Sequence, residues 1–289
     1  MFPYRRILFP IDYSDANVAI VPFVSEMVQR FQANLQLVRA CAPEVFYAAE
    51  FGWQIAASSP TTDDVVNAEN TRLQAFAAQH FKDITPELIV HSGHPIAVIE
   101  DVVRRSGVDL IMLPTHGHGL FRRLLLGSIT ARLIHDLSCS VWTATHVDPA
   151  FVRAHFPYRH ILCCVEPAME SAHIVKAAEK MAVAYGASLA LVSAIEWPTD
   201  SPTTDPGNYW DRIRDNAEAD LVRYSRALPI PAATHLIFGP IAHSLRDAAA
   251  RQSADLLIVG RGESQSPLSG VLSNLYSIVR ESPCPVLSV

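Results

Sequence analysis

The residues whose types and spacing could carry chemistry lie between Val108 and Ile134, VDLIMLPTHGHGLFRRLLLGSITARLI. The apolar run Leu110 to Leu113 has the length of a buried strand, and a loop with Gly117 and Gly119 follows it. Gly127 and Ser128 then open a new helical pattern. A strand-to-helix junction of this kind presents free backbone N–H groups and the positive end of a helix dipole, which suits an anion. Glycine lets a ligand approach the backbone closely, and the Ser128 hydroxyl can cap the helix or meet a phosphate.

Other chemistries fit less well. There is no Gly-Lys-Ser/Thr of a Walker loop, no Gly-x-Ser-x-Gly nucleophile elbow, and Gly117-His-Gly119 runs on into Leu-Phe-Arg instead of a dinucleotide fingerprint. His116-x-His118 and His91-x-x-His94 hint at metal, but no carboxylate or cysteine completes a ligand set. The five cysteines form no C-x-x-C pair and read as buried reduced thiols of a cytoplasmic protein. A net charge of -6 argues against a general grip on nucleic acid. No apolar run approaches a membrane span, and the start, MFPYRRILFPID, lacks a signal-peptide apolar stretch.

The elements that must position this stretch occur twice. Tyr4 to Asp12, YRRILFPID, returns as Tyr158 to Glu166, YRHILCCVE. Gly93 to Ala97 returns, one residue shorter, as Gly239 to Ala242; Val108 to Leu113 returns as Ala254 to Val259, and Ser138 to Trp142 as Pro283 to Leu287. Four matches in one order mean a duplicated domain. Each copy alternates short apolar strands with longer amphipathic helices, the pattern of a parallel sheet covered on both faces. In the first copy the strands fall near Ile7–Ile11, Leu35–Ala40, Glu87–His91, Leu110–Leu113 and Val141–Ala144, and the helices near Asp15–Phe31, Asp64–Phe81, Ile96–Arg105 and Ser128–Asp136. The expected domains are residues 1–146 and 158–289, joined by a linker over 147–157 with two prolines and no clean periodicity. Two irregular insertions, Cys41 to Asp63 with four aromatics and Glu196 to Asn208 with three prolines, follow the second strand of each copy. The first reads either as a lid or partner surface or as aromatics packed on a sheet edge.

At Thr115-His-Gly117, nine residues, Gly127 and Ser128, and again in Leu-Leu-Leu-Gly-Ser, the chain resembles the universal stress protein family. That family's nucleotide loop reads Gly, two residues, Gly, nine residues, Gly, then Ser or Thr; here Pro114 takes the first glycine's place. The resemblance runs over nearly the whole chain, twice. It implies two tandem flavodoxin-like (Rossmann-like) α/β domains, each a five-stranded parallel sheet of order 3-2-1-4-5 with helices on both faces. In that order the ligand crevice lies at the switch between the first and fourth strands. It implies binding of ATP, with Mg2+ arriving on the nucleotide, in the first half only. Asp12 would meet the ribose or metal side, and the Ala40 backbone the adenine. Thr115, Gly117, Gly127, Ser128 and Ile129 would line the phosphates, with Pro114 withholding one N–H. Arg122 and Arg123 either neutralise phosphate charge or are solvated. Asp12 also has the plainer role of capping the next helix, alone or through Ser14.

The second copy departs from the pattern. Counting from Gly262, the third-glycine place falls on Leu272, followed by Ser273, the first-glycine place on Val259, and Asp12's counterpart is Glu166. No family-type nucleotide site is expected there. The resemblance further implies that the halves pair through their last strands, Val141–Ala144 and Pro285–Val289, as an intramolecular pseudo-dimer; a further homodimer of chains is a separate expectation. The favoured function is stress-response ATP sensing or signalling, with slow hydrolysis at most, since the loop has no lysine and no general base beyond Asp12. The alternatives are a non-nucleotide interaction scaffold and a true hydrolase of a nucleotide or small ligand.

Overall fold

The structure, a computed structural model, describes residues 2–41, 61–115, 128–145, 149–166, 171–196, 209–261 and 270–289. Among them the chain divides into two compact units, Pro3–Val141 and Trp142–Val289.

In the first unit β1 (Arg6–Pro10) is the central strand. It pairs in parallel with β2 (Asn34–Cys41) on one side and β4 (Leu110–Pro114) on the other, and β2 pairs with β3 (Glu87–Ser92). Successive residues are buried along Ile7 to Phe9 and along the whole of β4, so both faces of the sheet are covered. Helix α1 (Asp15–Phe31) packs against β4, α2 (Thr62–His80) against β2 and β3, and α3 (Pro95–Ser106) against β2 and against α4 (Ser128–Asp136). Local chemistry sets the ends. Ser14 Oγ accepts from Asn17 N–H at the start of α1, and Thr61 with Asp64 forms a capping box on α2. Pro95 opens α3 and Gly107, at φ +60°, closes it. The carboxylate of Asp109 accepts from the N–H groups of Arg5 and Arg6, fixing where β1 begins.

The second unit repeats the plan. β6 (His160–Cys164) pairs in parallel with β7 (Ser188–Ile195) and β9 (Leu256–Val259), β7 with β8 (Ala232–Phe238), and β9 with β10 (Val286–Ser288). Helix α6 (Ala172–Tyr185) packs on β6, β7 and β9; α7 (Tyr209–Ala227) and α8 (Ile241–Arg251) pack on β7 and β8, and α8 meets α9 (Gly270–Glu281). Asp255 does for β6 what Asp109 does for β1, accepting from Arg159 and His160 N–H. Tyr4 against Phe31, with ring centroids 5.8 Å apart, recurs as Tyr158 against Tyr185 at 4.9 Å. Parallel ladders, buried strands and repeated clasps make this a tandem pair of Rossmann-like α/β domains.

The division between units falls inside β5 (Ser140–Ala144). Within the second unit Trp142 Nε1 donates to Tyr158 Oη at 2.9 Å and Thr143 Oγ1 to the Val286 carbonyl at 3.4 Å. The stretch 147–157, expected as a plain linker, contains a seven-residue helix, α5 (Pro149–His155), which begins on a proline that suits a first helical position. All five cysteines are buried and none forms a disulfide. Among the described residues no helix is long and apolar enough to cross a membrane.

Candidate functional site

The carboxyl ends of β1, β2 and β4 carry four of the residues singled out from sequence. Because β1 lies between β2 and β4, the strand order reverses beside it, and a crevice opens at such a switch point. Asp12 follows β1 by two residues and is half-buried. Its N–H donates to Asn17 Oδ1 at 2.6 Å, and its Oδ1 accepts from Ser14 N–H at 2.9 Å. Asn17 Nδ2 also donates to the Pro10 carbonyl, so one buried amide brackets the strand end on both sides of Ile11. Ser14, not Asp12, supplies the helix cap. Asp12 Oδ2 is left without a hydrogen bond among the described residues.

On the other side of the switch point, Pro114 is the last residue of β4 and Thr115, wholly buried, follows it. The Pro114 carbonyl accepts from Thr130 Oγ1 at 3.3 Å, which ties the first turn of α4 to the strand end. Ser128 and Ile129 open that helix. Gly117, Gly127 and the arginines Arg122 and Arg123 lie outside the described residues, as do His116, His118 and the aromatics Phe46, Tyr47, Phe51 and Trp53.

Ala40, half-exposed near the end of β2, stands in register with His91 of β3. Next to it a cluster appears that the sequence reading missed. Tyr13 has φ +59°, an uncommon conformation for a residue with a side chain. Its ring lies under two guanidinium groups, Arg39 at 5.1 Å and Arg72 at 4.0 Å, with Phe76 edge-on at 5.8 Å. Glu69 pairs with Arg39 at 2.7 Å and with Arg72 at 3.7 Å. Two cations against one anion leave this wall positive by one. Burial first, and the Glu69 charge second, push the Tyr13 hydroxyl up to about 12, so it stays protonated at any physiological pH. Burial likewise raises the Cys41 thiol at the end of β2. The signal for this cluster in sequence is thin: an aromatic after the strand-end acid, and a single charged residue, Arg39, in a mostly apolar strand.

In the second unit Glu166 follows β6 as Asp12 follows β1, and its N–H donates to Ser171 Oγ at 3.3 Å. Leu272 and Ser273 lie in the described part of helix α9, Gly270–Glu281, as Ser128 and Ile129 lie in that of α4. No group of three or more histidine, cysteine, aspartate or glutamate side chains that could hold a metal occurs among the described residues.

Comparison with known proteins gives a consistent picture. The sequence model of the universal stress protein family matches residues 3–144 and again 157–289. Universal stress protein MJ0531 of Methanocaldococcus jannaschii is 24% identical over 140 residues, covering 48% of this chain and 80% of its own. A universal stress protein of Archaeoglobus fulgidus superposes with a TM-score of 0.67 at 16% identity, over 99% of this chain and 98% of its own. A putative universal stress protein of Pseudomonas aeruginosa superposes at 0.64 and 14%, over 99% and 93%. At such identities the two structures speak for the fold.

Proposed function

We propose, from the premise that this chain belongs to the universal stress protein family, that its first half is a nucleotide-binding sensor domain. Its ligand is ATP carrying Mg2+, and the second half, residues 158–289, binds no nucleotide in the family manner. The observation that carries this reading is the pairing across the switch point. Asp12 stands on one side with a carboxylate oxygen that no described residue engages, and α4 is tied to the end of β4 on the other.

The parts then have distinct tasks. Thr130 holds the α4 N-terminus where its free N–H groups meet phosphate, and Ser128 adds a hydroxyl. Thr115, Gly117, Gly127 and Ile129 complete that lining. Asp12 Oδ2 faces the ribose or the metal ion, and the Ala40 main chain the base, beside the positive wall of Arg39 and Arg72. Mg2+ would offset phosphate charge, and Asp12 is the carboxylate placed to meet it. Pro114 contributes a carbonyl and no N–H, which weakens the phosphate lining without removing the helix terminus. The output is signalling by a bound nucleotide in the cytoplasm, the tandem domains 1–146 and 158–289 acting as an intramolecular pair.

The test is a calorimetric titration of the purified protein with ATP and Mg2+, repeated on Gly127→Val. The branched side chain occupies the space a phosphate needs. One site per chain, lost in the variant, is the expected result. Failure of the parent protein to saturate would overturn the reading and favour the scaffold alternative, which the missing Pro114 donor also motivates.

A further inference from the structure

In each half a carboxylate two residues past the first strand has its own N–H held from five residues downstream. Asp12 N–H donates to Asn17 Oδ1, and Glu166 N–H donates to Ser171 Oγ. From there the two acids part company. Asp12 is half-exposed and accepts from Ser14 N–H. Glu166 is only 6% exposed, and neither of its carboxyl oxygens has a hydrogen-bond partner among the described residues.

Among the described residues Glu166 meets no countercharge; Arg261, two residues past β9 at the same strand end, is half-buried and has partners of its own. On β6 the nearest titratable group is Cys164, whose buried thiol is held neutral, by burial first and then by Cys163 and Glu166. On β7, Val192 is apolar and Ser193 uncharged, and both are buried. On α6, His173 is exposed and Lys176 pairs with Glu179 at 2.6 Å. On α7, Tyr224 Oη accepts from Ser171 N–H at 3.0 Å, while Arg223 lies 4.4 Å over that ring and pairs with Asp220 at 2.7 Å. On β9, which pairs with β6, the four strand residues are apolar and buried, and the preceding Asp255 is engaged at the opposite, amino end of β6. No cation among the described residues forms an ion pair with Glu166. A carboxylate without a partner is costly in such a place, whereas a neutral carboxyl is tolerated.

We propose that Glu166 is a proton-operated latch of the second half. With its proton on, the acid stays buried, and the run from Glu166 N–H through Ser171 to Tyr224 holds the start of α6 against α7. With the proton off, the carboxylate turns to water and releases Ser171 and the first turn of α6. Burial pushes the Glu166 carboxyl up to about 7, which puts the change near neutrality. The sign follows from proton counting. The folded form binds the proton more tightly than the unfolded chain, so the contribution is fullest at low pH. It is lost as pH rises from the ordinary glutamate range of about 4.3 to about 7.

Two measurements on the intact chain test this. The first follows the 13C carboxyl resonance of Glu166 with pH: a midpoint near 7 is expected, and one in the ordinary carboxylate range overturns the proposal. The second follows amide exchange of residues 172–174 in the parent and in Glu166→Gln, whose carboxamide is uncharged at every pH. Between pH 6 and 8 the parent should gain roughly tenfold in exchange beyond the intrinsic pH effect, as the ionised fraction grows, and the variant should not. Equal gains in both proteins overturn the latch. Should Glu166→Gln fold poorly, the titration of the parent still decides.

Discussion

At the scale of single residues, the candidate site depends on two side chains that touch no ligand in any reading. Asn17 is buried and spends its whole amide on the strand end. Replacing it with alanine strands the Pro10 carbonyl and the Asp12 N–H. We expect Asn17→Ala to lower stability by about 1–3 kcal/mol in urea unfolding, and to weaken ATP binding by freeing Asp12. Thr130 is the second. Thr130→Val keeps the shape and removes the bond to Pro114, so stability should fall by about 1 kcal/mol, with a loss of nucleotide affinity seen in the same calorimeter. If affinity is untouched, the tie between α4 and β4 does not serve the ligand. Pro114 invites the reverse experiment. Pro114→Gly restores the family's first glycine, and tighter ATP binding is expected, against a stability loss of about 1 kcal/mol from added freedom in the unfolded chain. Much of this scale was illegible beforehand. The family resemblance points to Asp12, Pro114, Thr115 and Ser128, but Asn17 looks like any polar residue in a first helical turn. The Tyr13–Arg39–Glu69–Arg72 cluster joins residues that only folding brings together.

At the scale of elements, sequence periodicity serves well where local chemistry also marks the ends of an element. Helix α1 was expected over Asp15–Phe31 and forms there, between the Ser14 cap and the left-handed Gln32. The repeated glycines Gly93 and Gly239 have φ +149° and +125°, and each N–H donates to the end of a neighbouring strand, to the carbonyls of Cys41 and Ile195. Their recurrence in sequence therefore marks a backbone requirement. The helix Pro149–His155 inside the expected linker leaves no signature in sequence, because seven residues are too few to show a period. The duplicate also offers an internal control for sheet energetics. Buried Gln36 on β2 donates to Glu87 of β3 at 2.7 Å while its Oε1 finds no partner, and the equivalent pair in the second half is Ala190 and Ala233. The fold therefore does not require the polar pair. Glu87→Ala alone should cost about 1–3 kcal/mol by stranding the Gln36 amide. Adding Gln36→Ala should recover most of that loss. A denaturant double-mutant cycle reads the difference, and simple additivity would show that the pair is not coupled.

At the scale of the whole molecule, the chain keeps two copies of one architecture and lets their strand-end chemistry diverge. The clasps that define the strands survive in both, Asp109 with Asp255 and Tyr4 with Tyr158. The ends do not: a half-exposed Asp12 answers to a buried Glu166, and Arg39 of β2 to Ser193 of β7. The residues shared by the two copies and the residues that differ thus lie at opposite ends of the same strands. This is why the repeat is plain in sequence while the fate of each site is not. The covalent duplication also changes how occupancy is to be interpreted. A family member made of two identical chains that binds one nucleotide per pair shows half-of-the-sites reactivity, and negative cooperativity must be invoked to explain it. Here the same one-per-two ratio would be written into the covalent structure, and a simple hyperbolic isotherm with a Hill coefficient of one would be its complete description.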